Sequence, residues 1–152
     1  MINQAWLLQR LTELKLGFVF LTRLPLRHDG PVAKGELAQA LWSAPLVGIV
    51  VAFAGAIVFS AALVLHLPLL PAAVLTVATT TLLTGALHED GLADVADGFG
   101  GGTTRERKLE IMRDSRIGTY GVAALILSFM LRVCAIAELG DDQAVLAALV
   151  AA

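Results

Sequence analysis

The chain contains little charge and a single cysteine. Of its 152 residues, 16% are charged and 57% are apolar, whereas a soluble domain has about 25% charged and about 45–50% apolar residues. A soluble enzyme, a disordered tail and a nucleic-acid partner are therefore not expected. One cysteine, Cys134, excludes an intramolecular disulfide framework and a thiolate pair for zinc. An integral membrane protein of the all-α class is expected, and the placement of its few charges carries the functional information.

The longest uncharged segment predicts a membrane hairpin. Residues 37–87 contain no Asp, Glu, Lys or Arg, which is long enough for two spans because a helix crosses the apolar core with about 20 residues. Pro68 divides the segment, and proline ends or kinks a helix. We therefore expect helices over 41–65 and 67–87, joined by a very short turn.

Three further segments complete a single polytopic membrane domain over 1–152. A third span is expected over 117–137, where Arg132 can snorkel toward the interface. Residues 144–152 are apolar but too short to cross a bilayer, so they lie on the surface or begin a fourth span.

Within residues 1–36, apolar residues step by four and three and so share one helical face. These residues are Leu7, Leu11, Leu14, Phe18 and Leu21. An interfacial helix is predicted, with a cytoplasmic helix packed on another protein segment as the alternative.

The positive residues predict an orientation. Five precede the first span, five lie between the second and third spans, and none lies in the turn at His66. Because Lys and Arg stay on the cytoplasmic side, the N-terminus and residues 88–116 are expected inside the cell.

Four carboxylates, Glu89, Asp90, Asp94 and Asp97, directly follow the second span. Unpaired at the bilayer centre they would cost on the order of 10 kcal/mol on insertion scales, so they must lie at the membrane surface or in a polar cavity. In a helix the three aspartates share one face, and oxygen ligands at this density suit Mg²⁺. A solvated acidic loop is the alternative, and the adjacent His88 is either a ligand, base or orienting group, or merely a neighbour.

Glycines and cations come next in the chain. The run that includes Gly98, Gly100 and Gly101 would let backbone N–H groups approach an anion, although such a run is more often a flexible connection. Thr103 or Thr104 can cap a helix that starts at the next residue. The run therefore predicts either a phosphate cradle or a linker.

Arg113 and Arg116 are predicted one turn apart on that helix, where arginine forks can hold phosphate. Their alternative role is to anchor the third span. An acidic metal site beside a basic helix provides the charges that phosphoryl transfer requires. Ser115 lacks an adjacent histidine base and is not expected to be a nucleophile. The candidate catalytic residues are His88, Asp94, Arg113 and Arg116; the metal ligands are Glu89, Asp90, Asp94 and Asp97; the phosphate-binding residues are Gly98, Gly100, Gly101, Arg105, Lys108 and Ser115.

Residues 84–98 (TGALHEDGLADVADG) and 111–121 (IMRDSRIGTYG) closely resemble motifs of the cobalamin synthase family, also called adenosylcobinamide-GDP ribazoletransferases, and residues 20–25 (FLTRLP) resemble its entry motif. The resemblance implies an Mg²⁺-dependent, multi-pass enzyme of the bacterial inner membrane. Such enzymes join α-ribazole, or its 5′-phosphate, to adenosylcobinamide-GDP and release GMP. Members are usually longer, with further membrane helices after the third. Attack of a ribazole hydroxyl on the corrinoid-side phosphorus needs charge neutralisation more than covalent catalysis, which agrees with the residues present.

Two other functions remain open at this point. A CDP-alcohol phosphotransferase performs the same displacement on a lipid substrate, but its pattern asks for Ala-Arg shortly after the first Asp-Gly, and here Ala93 is followed by Asp94. A carboxylate-lined cation transporter subunit would place its acids within the spans. Homo-oligomerisation is left open as well.

Overall fold

The computed structural model describes residues 3–28 and 30–151, and every regular element in these two ranges is a helix. The all-α prediction is therefore confirmed, while the parts of the predicted segments at residues 1, 2, 29 and 152 lie outside the described residues. A 3₁₀ turn over Leu41–Ser43 leads into α3. The α-helices are α1 (Gln4–Leu21), α2 (Glu36–Ala40), α3 (Ala44–Val64), α4 (Leu69–Thr84), α5 (Leu87–Gly101), α6 (Arg105–Ile111), α7 (Thr119–Leu139) and α8 (Asp142–Ala151).

Helices α3 and α4 pack against each other across the turn that contains Pro68. This proline stands in extended backbone just before α4 and accepts the first helical bond through its carbonyl, so its missing N–H costs nothing there. Small residues permit the close approach of the two helices: Gly55 of α3 lies against the methyl groups of Thr76 and Thr80 of α4. Phe59 and Val77 belong to the buried apolar cluster, to which α7 and α8 also contribute.

Two segments of the described chain are long and apolar enough to cross a membrane, Glu36–Val64 and Thr119–Leu139. Helix α4 has 16 residues, about 24 Å at 1.5 Å per residue, and so falls short of an apolar core of about 30 Å. Only α4 and α5 together pass as a third candidate, and they are bent by 89°. The described residues thus hold two candidate spans, or three if the bent pair counts as one.

The bend between α4 and α5 is made by two successive residues in the left-handed region. Gly85 has φ of 64° and Ala86 has φ of 58°, and the N–H of Ala86 closes α4 by donating to the carbonyl of Thr81 at 2.9 Å. Arg23 packs on the bare face of Gly85, where a Cβ would collide with its side chain. The second predicted span, 67–87, therefore stops at Thr84, and the chain turns by a right angle before the acidic motif.

Helix α1 is buried along a face other than the predicted apolar one, through Glu13, Leu16 and Gly17. Glu13 is buried and accepts from Trp42 Nε1 at 2.7 Å, and it pairs with Arg10 at 2.8 Å. Leu7 and Leu11, from the predicted face, are exposed. An apolar surface thus remains on α1, and its interfacial placement stays a prediction.

Candidate active site

A cavity of about 380 Å³ lies between α5, the segment over residues 112–117 and α7. It brings together six of the candidate residues, from two motifs more than fifteen residues apart in the sequence. These residues are Glu89, Asp90, Asp94, Arg113, Ser115 and Arg116. The predicted pairing of an acidic patch with basic side chains is therefore present in the structure.

The acidic motif is helical, not a loop. Helix α5 starts directly after the α4–α5 bend and runs through all four carboxylates, and α6 follows it, so much of the predicted loop over 88–116 is helix. Asp90 is exposed and Asp94 is half-buried, and both lie in the cavity wall one helical turn apart. Neither side chain has a hydrogen bond or ion pair with any residue in the described ranges. Their negative charges therefore face the cavity without local neutralisation.

Glu89 has partners on two other helices. It is 7% exposed, and its Oε1 accepts from Arg132 Nη2 of α7 at 2.9 Å and from Thr81 Oγ1 of α4 at 3.3 Å. Arg132 therefore pairs with a buried carboxylate of α5, and its snorkelling toward the interface stays a prediction. Sequence reasoning missed this pair because 43 positions separate the two residues.

Asp97 caps a helix and lies outside the cavity lining. Its Oδ2 accepts from the N–H of Gly118 at 2.7 Å and its Oδ1 from the N–H of Gly121 at 2.8 Å, so it satisfies two of the free donors at the start of α7. A Cβ on either glycine would collide with the carboxylate. The two glycines flanking the start of an apolar run are the sequence signal that could have indicated this close approach.

The shared helical face therefore does not gather four ligands. No group of three or more His, Cys, Asp or Glu side chains suited to a metal occurs among the described residues. Seven positions along a helix are about 10 Å, which separates Asp97 from Asp90, and Glu89 is turned toward α7. Two carboxylates, Asp90 and Asp94, remain directed to the cavity without partners.

The glycine run is the last part of α5, so its expected loop is helical. Gly98 is buried against Met112, and Gly100 lies against the ring of Tyr120, each too closely for a Cβ. Gly101 also lies within α5. Because the N–H groups of a helix interior bond within the helix, these three glycines serve close packing, and the structure gives no support to an anion cradle.

His88 lies in the first turn of α5 but borders a different cavity from Asp90 and Asp94. This cavity of about 300 Å³ is formed mainly by apolar residues of α1, α3 and α8, together with Thr80 and Thr84 of α4. His88 is not among the residues that line the cavity with Asp90 and Asp94.

The basic segment is only partly helical. Thr104 accepts from the N–H of Arg107 at 3.2 Å, which confirms the predicted cap of α6. Arg105 is exposed, and Lys108 places its Nζ 4.1 Å from the centre of the Phe99 ring; neither lines the cavity. Helix α6 ends at Ile111.

Arg113 and Arg116 therefore lie in an irregular segment and not one turn apart on a helix, as the sequence predicts. Asp114 causes the difference in part, because its Oδ1 accepts from the N–H of Arg116 at 3.1 Å, a local bond that competes with helix formation. Arg116 Nη2 also donates to Asp114 Oδ2 at 2.7 Å. These hydrogen bonds from Arg116 lower the pKa of Asp114 to about 2, and the carboxylate raises the pKa of Arg116.

The two arginines consequently differ in the charge that they offer. Arg116 is 86% exposed at its side chain and has Asp114 beside it, whereas the side chain of Arg113 has no hydrogen-bond or ion-pair partner in the described part of the chain. The cavity thus combines two unpaired carboxylates with one unpaired guanidinium, an arrangement that suits a phosphate group bridged to a divalent cation.

Comparison with known proteins gives a consistent match. The family model described as cobalamin-5-phosphate synthase matches residues 13–152. A curated protein of Bradyrhizobium diazoefficiens named adenosylcobinamide-GDP ribazoletransferase is 55% identical over 142 residues, covering 93% of this chain and 55% of that protein. A protein of Mesorhizobium japonicum with the same name is 53% identical, covering 95% of this chain and 55% of its own length. The chain therefore spans about half the length of the curated relatives it matches. No solved structure matches it.

Proposed function

The chain belongs to the cobalamin-5-phosphate synthase family, and we propose that it acts as an adenosylcobinamide-GDP ribazoletransferase. It would join α-ribazole, or its 5′-phosphate, to adenosylcobinamide-GDP and release GMP. The observation that carries the proposal is the cavity that Asp90, Asp94 and Arg113 line together. Curated relatives named for this reaction support it.

The cavity provides what a phosphoryl displacement needs. The ribazole oxygen forms a bond to the corrinoid-side phosphorus, the bond from that phosphorus to the GMP oxygen breaks, and the hydroxyl proton is released. Because this chemistry depends on positioning and charge neutralisation, the residues required are cations and metal ligands. No protein nucleophile is invoked, and Ser115 contributes at most a hydroxyl to the cavity wall.

Asp90 and Asp94 are the residues that would hold Mg²⁺. The donor set fits the ion, since Mg²⁺ is usually bound by one or two carboxylates and completes its shell with water and substrate phosphates. When bound, Mg²⁺ neutralises charge on the diphosphate. The absence of a local countercharge on either aspartate supports this assignment over one that uses Glu89 or Asp97, whose oxygens have partners.

Arg113 is the first candidate for the diphosphate, with Arg116 as the second. A guanidinium can donate two parallel N–H bonds to a phosphate, and that of Arg113 is not engaged elsewhere in the described residues. Arg116 must first give up or share Asp114. His88, Arg105 and Lys108 are left out of this arrangement because they do not line the cavity.

The site would lie at the cytoplasmic face of the bacterial inner membrane. The 89° bend between α4 and α5 turns the acidic motif away from the direction of the apolar helix, and ten of the eleven Lys and Arg residues lie in segments predicted to be cytoplasmic.

Incubating membranes that contain the chain with adenosylcobinamide-GDP, α-ribazole and Mg²⁺ tests this function. We expect GMP and a corrinoid that carries the nucleoside, with neither product from Asp94→Asn membranes. Glu110→Gln is the matched control, because Glu110 forms an exposed pair with Arg107 outside the cavity. Binding of divalent cations without any binding of the GDP-linked substrate would contradict the proposal and favour a cation transporter subunit.

A further inference from the structure

Asp114 lines the cavity but takes no part in the arrangement proposed above. It lies between Arg113 and Arg116 in the irregular segment after α6, and it shares the cavity wall with Asp90 and Asp94. Its side chain is 39% exposed, and that of Arg116 is 86% exposed. Because both residues line the cavity, a ligand there can reach both charged groups.

The carboxylate of Asp114 occupies one edge of the Arg116 guanidinium. Its Oδ2 accepts from Nη2 at 2.7 Å and from Nε at 3.2 Å, and its Oδ1 accepts from Nε at 3.1 Å. Two parallel N–H bonds of this kind are also the geometry by which an arginine binds a phosphate group. The carboxylate thus lies where two oxygens of a phosphate group would bind Arg116.

This ion pair can be exchanged at small cost. An ion pair between exposed side chains changes an equilibrium by about fivefold or less, and Asp114 and Arg116 belong to one short segment, so their pair joins no two helices. The pair of Glu89 and Arg132 differs, because it joins α5 to α7 and its carboxylate is 8% exposed. A diphosphate carries more negative charge than one carboxylate, so it attracts the guanidinium more strongly than Asp114 does.

We propose that Asp114 is a tethered competitor for Arg116, which holds this guanidinium until a phosphate group of the substrate takes its place. The inference rests on the function proposed above, since that function supplies the phosphate group. Arg113 has no partner in the described part of the chain and binds the diphosphate directly, whereas Arg116 is reached only by exchange. Because a competing state lowers the apparent affinity for a ligand, removing the charge of Asp114 should strengthen the binding of the diphosphate.

Binding of GDP, which carries the diphosphate, to the purified chain in detergent at a fixed free Mg²⁺ concentration tests the proposal by calorimetry. We expect Asp114→Asn to bind GDP about threefold to fivefold more tightly. Asparagine keeps the oxygen that accepts from the backbone N–H of Arg116, so the local turn is retained. Asp141→Asn is the matched control, because Asp141 Oδ1 accepts from the N–H of Gln143 at 2.8 Å in the same way but outside the cavity. It should bind GDP as the wild type does.

Three further variants show whether Asp114 acts through Arg116. In the Arg116→Gln background, Asp114→Asn should give no gain in GDP affinity. In the Arg113→Gln background, GDP binding should be weaker throughout, but the gain from Asp114→Asn should persist. Asp114→Glu keeps a carboxylate that can pair with Arg116, so its GDP affinity should return to within about twofold of wild type. If Asp114→Asn does not insert, Asp114→Ser repeats the test, because its hydroxyl can accept the same backbone N–H.

Two results would overturn the inference. A gain below about twofold in Asp114→Asn, no measurable binding included, shows that Asp114 does not compete, and a loss of affinity makes Asp114 a ligand of the diphosphate or of Mg²⁺. An equal gain in the Arg116→Gln background shows that its charge acts by repulsion alone.

Failure of the inference is distinguishable from failure of the proposed function. GMP release by the wild-type chain, together with unchanged GDP affinity in Asp114→Asn, refutes the inference alone. A gain in GDP affinity that depends on Arg116, without GMP release from adenosylcobinamide-GDP and α-ribazole, refutes the activity alone.

Discussion

The capping of α7 by Asp97 allows a quantitative test of which carboxylates of the acidic motif are structural and which bind metal. Asp97 is 8% exposed and accepts from two backbone N–H groups, at 2.7 Å and 2.8 Å. Asparagine keeps the shape of the side chain but replaces one acceptor by an N–H₂ group that points at a backbone donor. The loss is one hydrogen bond to a charged group, about 1.5–3 kcal/mol.

We therefore expect Asp97→Asn to lower the unfolding temperature by about 3–12 °C, since 1 kcal/mol shifts the midpoint of a domain of this size by about 2–4 °C. The assay is thermal unfolding in detergent with EDTA, so that no metal contributes. The matched variant Asp94→Asn should change the free energy of unfolding in EDTA by less than about 0.5 kcal/mol, or about 1–2 °C in the midpoint, because Asp94 has no partner within the described residues.

Asp94→Asn and Asp97→Asn should have opposite effects on Mg²⁺ binding and on thermal stability. Asp94→Asn should weaken Mg²⁺ binding, while Asp97→Asn should retain it once the protein is folded. Gly121→Ala provides an independent perturbation, because its Cβ would collide with the same carboxylate. An Asp97→Asn protein that unfolds at the wild-type temperature in EDTA but binds Mg²⁺ weakly would refute the capping role and return Asp97 to the metal site.

Two further predictions concern the guanidinium of Arg113 and the membrane topology. Arg113→Lys should insert normally, because it keeps the positive charge, but its turnover should fall about a hundredfold, the scale of one electrostatic stabiliser. Insertion is checked by protease protection. Turnover within about twofold of wild type would mean that Arg113 only anchors the third span. With the native cysteine replaced by serine, a cysteine at position 66 should react with an impermeant reagent in intact cells and one at position 101 should not, and the reverse pattern would overturn the orientation.

Local patterns were sufficient for the features that depend on neighbouring residues. Pro68 marked the break between α3 and α4, and Thr104 was one of two candidates for the cap of α6. The bend at Gly85 and Ala86 was not predicted, because apolar residues continue through Leu87 and hydropathy does not distinguish a straight span from one that ends early.

Features that join distant segments could not be predicted from spacing. The contact of Glu89 with Arg132 and the contact of Asp97 with Gly118 both depend on α7 packing along α5. The sequence alone does not show that packing, so all four carboxylates appear unpaired and Arg132 appears to be an isolated charge in an apolar helix. Helical periodicity gives the direction of a side chain but not what occupies the space in that direction.

Four acids in one short helix therefore do not imply four ligands to one ion. If all four faced the cavity, Arg113 alone would leave strong repulsion that one Mg²⁺ could not balance. In the structure Arg132 neutralises Glu89, and the backbone dipoles at the start of α7 stabilise Asp97. The unpaired charges that remain in the cavity wall are those of Asp90, Asp94 and Arg113. Together they carry one net negative charge, which one bound divalent cation changes to one net positive charge. A cavity with net positive charge is suited to a diphosphate substrate.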